Sequence, residues 1–293
     1  MSRRPRRNRP PRLDEPPPRP RADDAEPEGG ARPAKPASAN RRLLDGHVAG
    51  AHPELGRTEV EHLVARLAAG APDAALGLEL GRVGRDEAYA ALDAIWGWDG
   101  KSARASIDPA RTLEAVAGAA GMLAEAAGAG ARIAFATGRP ASLLPMYRSL
   151  AATVAAAGAE ILTCERQAVD GAAEQALWSH DGVTVVSDGL SVLADDGLLA
   201  GAEWLFAVGR PKLAVADHGF AAAAVVEGHQ TIAFADLDAL ALGVAARRGL
   251  PVCVVPIHDG RPPSAYEIVA ERLISHEAPS THEPHSTTRA PGA

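Results

Sequence analysis

From residue 132 onward, short runs of β-branched and aromatic residues alternate with segments of helical spacing, and this alternation limits the fold more than any other feature. The stretch 132–140, RIAFATGRP, opens the series. Further apolar runs lie at 159–163, 213–216, 231–234 and 252–256. Between them, Leu143, Tyr147, Leu150 and Val154 form the inner face of one helix, and others are expected from about Phe220, over 236–248 and over 264–274. Such a pattern predicts an α/β fold: a mostly parallel, Rossmann-like sheet with helices on both faces. The run 183–186, flanked by Asp181-Gly182 and Asp188-Gly189, departs from it and reads as a strand with tight turns, a hairpin set into the sheet.

Upstream, 59–69 reads as a helix with a Thr58/Glu61 capping box, and 86–96 as a helix stopped by Gly97. Residues 75–80, ALGLEL, suit either a strand or a helix start. Asp108 and Pro109 are expected as N-cap and first residue of a helix reaching about Ala127. Trp96 and Trp98 are expected to close a helix against the core.

The ends differ in composition. Residues 1–40 hold ten prolines and ten Arg or Lys with few large apolar side chains, too little burial to offset the entropy of ordering, so they are expected to be a disordered tail. Residues 276–293, with His276, His282 and His285, are read the same way, leaving 41–275 as the folded domain. The first forty residues carry ten basic and six acidic groups, so of the net charge of −7 the other 253 residues carry −11. An acidic body repels a polyanion and argues against nucleic acid as a partner. No apolar run is long enough to cross a bilayer and no signal-peptide pattern follows the basic start, so the expected setting is cytoplasmic. Cys164 and Cys253 lie far apart in apolar runs and read as buried spectators.

In open α/β sheets ligands gather beyond the carboxyl ends of the strands, so the residues that follow each run are the candidates. The strand-to-helix turn Thr137-Gly138-Arg139 collects backbone N–H groups, a helix N-terminus and a guanidinium at one point, which suits an anionic substrate group. Asp217-His218-Gly219 follows the next run. There a carboxylate can hold a cation or take a proton beside a histidine that titrates near neutrality, with Gly219 adding substrate contact. Asp236-x-Asp238 could join Asp217 in a divalent-metal site, Mg or Mn, through oxygen ligands, although Asp236 equally suits an N-cap with Asp238 in the first turn. His258-Asp259 completes the strand-end set. Asp188 reads as a turn residue, and Asp195-Asp196 as the start of a short helix.

Several segments resemble a family of bacterial, mostly actinobacterial, proteins labelled as phosphatases. They are GLELG from Gly77, IDPARTLEA from Ile107, FATGRPASLL from Phe135, VADHGFA from Val215, FADLDALAL from Phe234 and VPIHDG ahead of Tyr266. The resemblance covers about 75–270. In that family the turn after FATG more often carries His where this chain has Arg139, and the part before GLELG holds further polar residues. The resemblance implies a metal-assisted phosphatase of a small phosphomonoester, with the phosphate on Thr137-Gly138-Arg139, a cation at Asp217 and Asp236, and His218 protonating the leaving alkoxide. The residues alone leave two alternatives: a non-catalytic binding protein for a nucleotide or acidic metabolite, and an α/β enzyme acting on a carboxylate substrate. Substrate identity and oligomeric state are not written in the sequence.

Overall fold

The structure, a computed structural model, describes residues 44–275 apart from 172, 173 and 196. The expectations for both tails, the tail histidines and Asp196 lie outside the described residues. Two strands, β1 (Gly50–Gly56) and β2 (Arg104–Ile107), pair antiparallel in a small sheet that the sequence pattern did not signal. Between them lie α1 (Arg57–Ala68) and α2 (Arg85–Ala91), the latter running into a π-turn (Leu92–Trp96) that ends at Gly97 with φ of 75°. The α1 cap sits two residues earlier than expected: the Gly56 amide donates to Glu59 Oε2 at 2.9 Å, and Thr58 is already helical. Residues 75–80 form neither strand nor helix. Residues 75–78 make local turn bonds to Ala71, Asp73, Pro72 and Ala75, and at the end of the segment the Arg248 guanidinium bonds the carbonyls of Leu80 and Arg82 and pairs with Glu87.

The remaining elements alternate as expected except between 160 and 193, where five strands follow one another. They are α3 (Pro109–Gly128), β3 (Arg132–Ala136), α4 (Pro140–Ala156), β4 (Glu160–Leu162), β5 (Gln167–Ala168), β6 (Ala176–His180), β7 (Val183–Ser187) and β8 (Val192–Leu193). Then come α5 (Ala200–Val208), β9 (Leu213–Asp217), α6 (His218–Val226), β10 (Gln230–Ala235), α7 (Leu240–Arg247), β11 (Val252–Pro256) and α8 (Glu267–Ile274). Asp108 caps α3 by accepting the Ala110 amide at 2.8 Å, with Pro109 at the first helical position. The segment expected as one helix from Asp236 begins as a 3-10 turn (Leu237–Ala239), because Asp236 Oδ1 takes the Leu237 amide at 2.7 Å.

The main sheet runs β11-β10-β9-β3-β7-β6-β5, with β4 also beside β3 and β8 beside β7. β3, β4, β7, β9, β10 and β11 are joined by parallel pairs, while β5, β6 and β8 enter through antiparallel ones. The fold is therefore α/β with a mixed, mostly parallel sheet. The inserted hairpin is β6–β7, turned by Asp181 and Gly182 at φ of 49° and 85°, as a two-residue loop of the primed type requires. β3 divides one edge between two partners: its first half pairs with β4, and Phe135 and Ala136 pair with β7. The chain therefore leaves β3 toward β4 on one side and later places β9 on the other. That reversal opens a crevice at the carboxyl ends of β3 and β9.

Thin side chains let the layers close. β9 is buried throughout, and β3 is buried from Ile133 to Ala136. Trp96 and Trp98 are buried as expected, and the Trp96 indole N–H donates to the Ala235 carbonyl at 3.2 Å, at the end of β10. Cys164 is buried, Cys253 is partly so, and both are free thiols. Among the described residues no helix is long and apolar enough to cross a membrane.

Candidate active site

β3, β9, β10 and β11 are consecutive neighbours that point the same way, so the residues after them emerge along one edge. These are Thr137-Gly138-Arg139, Asp217-His218, Asp236 with Asp238, and His258-Asp259. A cleft of about 190 Å³ is lined there by Asp236, Asp238, His258, Asp259, Arg261 and, from β1, His52.

The Thr137 turn is tied inward. The Gly138 amide donates to Asp217 Oδ1 at 2.8 Å and the Arg139 amide to Thr137 Oγ1 at 3.0 Å. Those two amides were expected to meet an anion; both already have protein acceptors, which leaves the guanidinium as the turn's cationic feature. Arg139 Nη2 lies 3.1 Å from His218 Nε2 and 3.8 Å from Asp238 Oδ2, and its Nε lies 3.6 Å from Asp259 Oδ2. A side chain at Gly138 would collide with the Asp195 carbonyl, so the close approach of these two backbones requires glycine. Asp195 accepts the Gly197 amide and precedes α5 rather than opening a helix itself.

His218 begins α6 at φ of 44°, a backbone conformation costly for a residue with a Cβ. This places a residue that is 2 % exposed behind two of the cleft's lining carboxylates, with Nε2 3.4 Å from both Asp238 Oδ2 and Asp259 Oδ2, and Nδ1 3.6 Å from Asp217 Oδ1. Burial opposes its charge, but the carboxylates of Asp217, Asp238 and Asp259 prevail and hold its pKa well above the ordinary histidine value. Asp259 moves the opposite way from a usual carboxylate. Burial, reinforced by Asp238 and Asp236, raises it to about 7 against the pull of His218 and Arg139.

Asp217 is fully buried and occupies the N-cap position of α6 without capping it; Oδ2 has no hydrogen-bond partner. The Tyr147 hydroxyl, also buried, is pushed well above its ordinary pKa by burial and by the Asp217 charge. Gly219 lies where α6 packs closely on Gly201 of α5. On the other flank, Asp236 Oδ2 receives His52 Nε2 at 3.1 Å and lies 3.5 Å from His258 Nδ1. Burial resists its ionisation, yet His258 and His52 hold it at about 2. Tyr266 fixes the loop after β11 by donating to the His258 carbonyl at 2.7 Å and accepting the Arg261 amide at 2.9 Å.

Two groupings among the described residues bring ligand atoms within 4.8 Å of one another: His52, Asp236 and His258, and His218, Asp238 and Asp259. Asp236 is in the first. Asp217, also expected as a metal ligand, stands outside both.

Residues 37–281 match the Phosphatase family. The chain belongs to that family. It is also 35% identical over 165 residues to Phosphatase SCO2771 of Streptomyces coelicolor (strain ATCC BAA-471 / A3(2) / M145), an alignment covering 53% of this chain and 60% of that protein. The chain thus spans less than two thirds of that curated relative's length. No solved structure matches.

Family membership agrees with the resemblance carried by FATGRP and VADHG. The residue that sequence reasoning missed is His52. It sits in GAHPELG, which has neither strand alternation nor a metal-binding spacing, so nothing in its own segment marked it. His258 and Asp259 were visible only through the strand-end rule, without roles, and Asp238 as a partner of Asp236 in a metal site or a helix's first turn.

Proposed function

We propose that this chain is a hydrolase that cleaves a small phosphomonoester in the cleft at the ends of β3, β9, β10 and β11, assisted by a divalent metal. The observation that carries this reading is the convergence of Arg139, Asp238 and Asp259 on His218 Nε2, all within 3.1–3.4 Å or, for the Arg139 ion pairs, within 3.6–3.8 Å. A guanidinium fork matches two phosphate oxygens, so Arg139 binds and orients the phosphoryl group. His218, kept protonated by its carboxylate neighbours, gives its Nε2 proton to the leaving alkoxide oxygen once the Arg139 guanidinium, itself only a donor, has turned from that nitrogen to the phosphate. Asp217 faces the other ring nitrogen and is anchored by Gly138, which fixes ring and turn together. Asp259, with a pKa raised to about 7, can exchange a proton at neutral pH as the base that prepares water.

Four carboxylates, Asp217, Asp236, Asp238 and Asp259, surround this point, and a phosphate dianion entering there meets their repulsion. A divalent cation held by Asp236 would relieve it and would supply Lewis-acid polarisation of the phosphoryl group.

The test is phosphate release from p-nitrophenyl phosphate and a panel of sugar, nucleoside and amino-acid phosphomonoesters, by the full chain with Mg²⁺ or Mn²⁺. Turnover of one class, abolished in His218→Gln, is the expected result. A folded chain that releases phosphate from none of them under either metal overturns the proposal.

A further inference from the structure

The two His/Asp triads differ in what fills them. In the first, His258 Nε2 lies 3.3 Å from the Gly50 carbonyl. A carbonyl only accepts, so Nε2 carries a proton, and Nδ1 is the ring nitrogen left to ligate a cation. That Nδ1 belongs to a residue 2 % exposed, has no hydrogen-bond partner, and faces Asp236 Oδ2 at 3.5 Å. That contact is favourable only with a positive charge between the two atoms, either a proton on Nδ1 or a metal ion in its place. A ring N–H anchored on a backbone carbonyl is also how ligating histidines are commonly oriented.

His52 is in a different state. Its Nδ1 accepts the amides of Glu54 at 3.0 Å and Leu55 at 2.7 Å, so its proton is on Nε2 and is donated to Asp236 Oδ2. A ring in that state offers no lone pair at Nε2; His52 orients the carboxylate. In the second triad a protein cation is already present, since the Arg139 guanidinium touches His218, Asp238 and Asp259. A metal ion bound to the same three atoms would sit against a permanent positive charge.

We infer that His258 Nδ1 and Asp236 Oδ2 are the protein ligands of one transition-metal ion, oriented by Gly50 and His52, and that Arg139 takes the place of a second ion in the His218 triad. This rests on and deepens the metal-assisted reading above. A nitrogen donor beside one carboxylate suits Mn²⁺, Fe²⁺ or Zn²⁺ better than Mg²⁺, which prefers oxygen.

The experiment counts metal without substrate. The full chain is stripped with a chelator and brought to equilibrium by dialysis against Mn²⁺ or Mg²⁺. One Mn²⁺ per chain is expected, bound about tenfold or more tighter than Mg²⁺. His258→Gln keeps an N–H within reach of the Gly50 carbonyl but loses the Nδ1 lone pair, and should weaken Mn²⁺ at least about tenfold. Arg139→Ala should raise the count to two. No ion or two ions in the unmodified chain, unchanged affinity in folded His258→Gln, or a count of one in Arg139→Ala each overturns the assignment. If His258→Gln does not fold, the counts in the unmodified chain and in Arg139→Ala still decide. Because substrate is absent, a chain that binds one Mn²⁺ yet hydrolyses nothing refutes the phosphatase reading alone.

Discussion

The Gly138 amide and the Asp217 carboxylate meet at 2.8 Å across the ends of β3 and β9, 79 positions apart in the chain. This bond ties the turn that presents Arg139 to the residue that precedes His218, so in the proposed mechanism phosphate binding and proton transfer share one support. Asp217→Asn retains an oxygen acceptor for the amide while removing the charge beside His218. It should fold, by circular dichroism, and lose about 10²-fold or more in phosphomonoester turnover. Full turnover in the folded variant would remove Asp217 from the mechanism.

Gly138 is also where the loop carrying Asp195 comes closest. The Asp195 amide donates to the Gly138 carbonyl at 3.0 Å, and any Cβ on Gly138 meets the Asp195 carbonyl oxygen. Gly138→Ala must therefore push the two backbones apart, at a cost of about 1–3 kcal/mol. For a chain of this size that corresponds to a fall in melting temperature of roughly 2–12 °C. An unchanged melting curve would mean that the loop yields freely and does not hold the turn.

The order of strands and helices at 132–162 and from residue 213 was legible because each run had the period of its element and a Gly, Pro or Asp at its boundary, while the short strands Gln167–Ala168, Ala176–His180 and Val192–Leu193 carried no such signal. The strand-end rule then pointed to Asp217, His218, Asp236 and His258 without any knowledge of their distances. What escaped depends on contacts distant in sequence. β1 and β2 make a sheet only with each other, and β1 has no alternation of its own, so His52 was invisible until Asp236, 184 positions away, was beside it. Residues 75–80 have an apolar strand-like pattern, yet the amides of 75–78 close local turns and Arg248 takes the Leu80 carbonyl. Likewise, the Thr137 turn has the form of an anion nest, and only the fold shows its amides spent on Asp217 and Thr137.

Arg248 also gives a stability prediction with a definite sign. It pairs with Glu87 at 2.6 Å, and its hydrogen bond lowers the Glu87 pKa below the ordinary value. A folded pKa lower than the unfolded one contributes stability above the unfolded pKa and loses it as pH falls through the folded one. Both side chains are about a third exposed, so solvent screening limits the pair to roughly 0.2–1 kcal/mol. Glu87→Gln should therefore be slightly less stable than the parent in denaturant titrations at pH 7, and the difference should shrink below about pH 4.3. A difference independent of pH would mean that the lost stability is not that of the charge pair with Arg248, since glutamine can still accept the Gly84 amide.

The pH profile of turnover tests the proton donor. His218 is charged to higher pH than an ordinary histidine because Asp217, Asp238 and Asp259 outweigh its burial. If its imidazolium protonates the leaving group, kcat falls as pH rises through that raised pKa, so the basic limb lies above about pH 6.5. Asp238→Asn removes a carboxylate 3.4 Å from Nε2 and should shift the limb toward acid, modestly because Asp238 is partly solvated. His218→Gln should remove the limb along with most of the rate. A basic limb that stays in place in Asp238→Asn and survives in the residual activity of His218→Gln belongs to another group, and His218 is then not the donor.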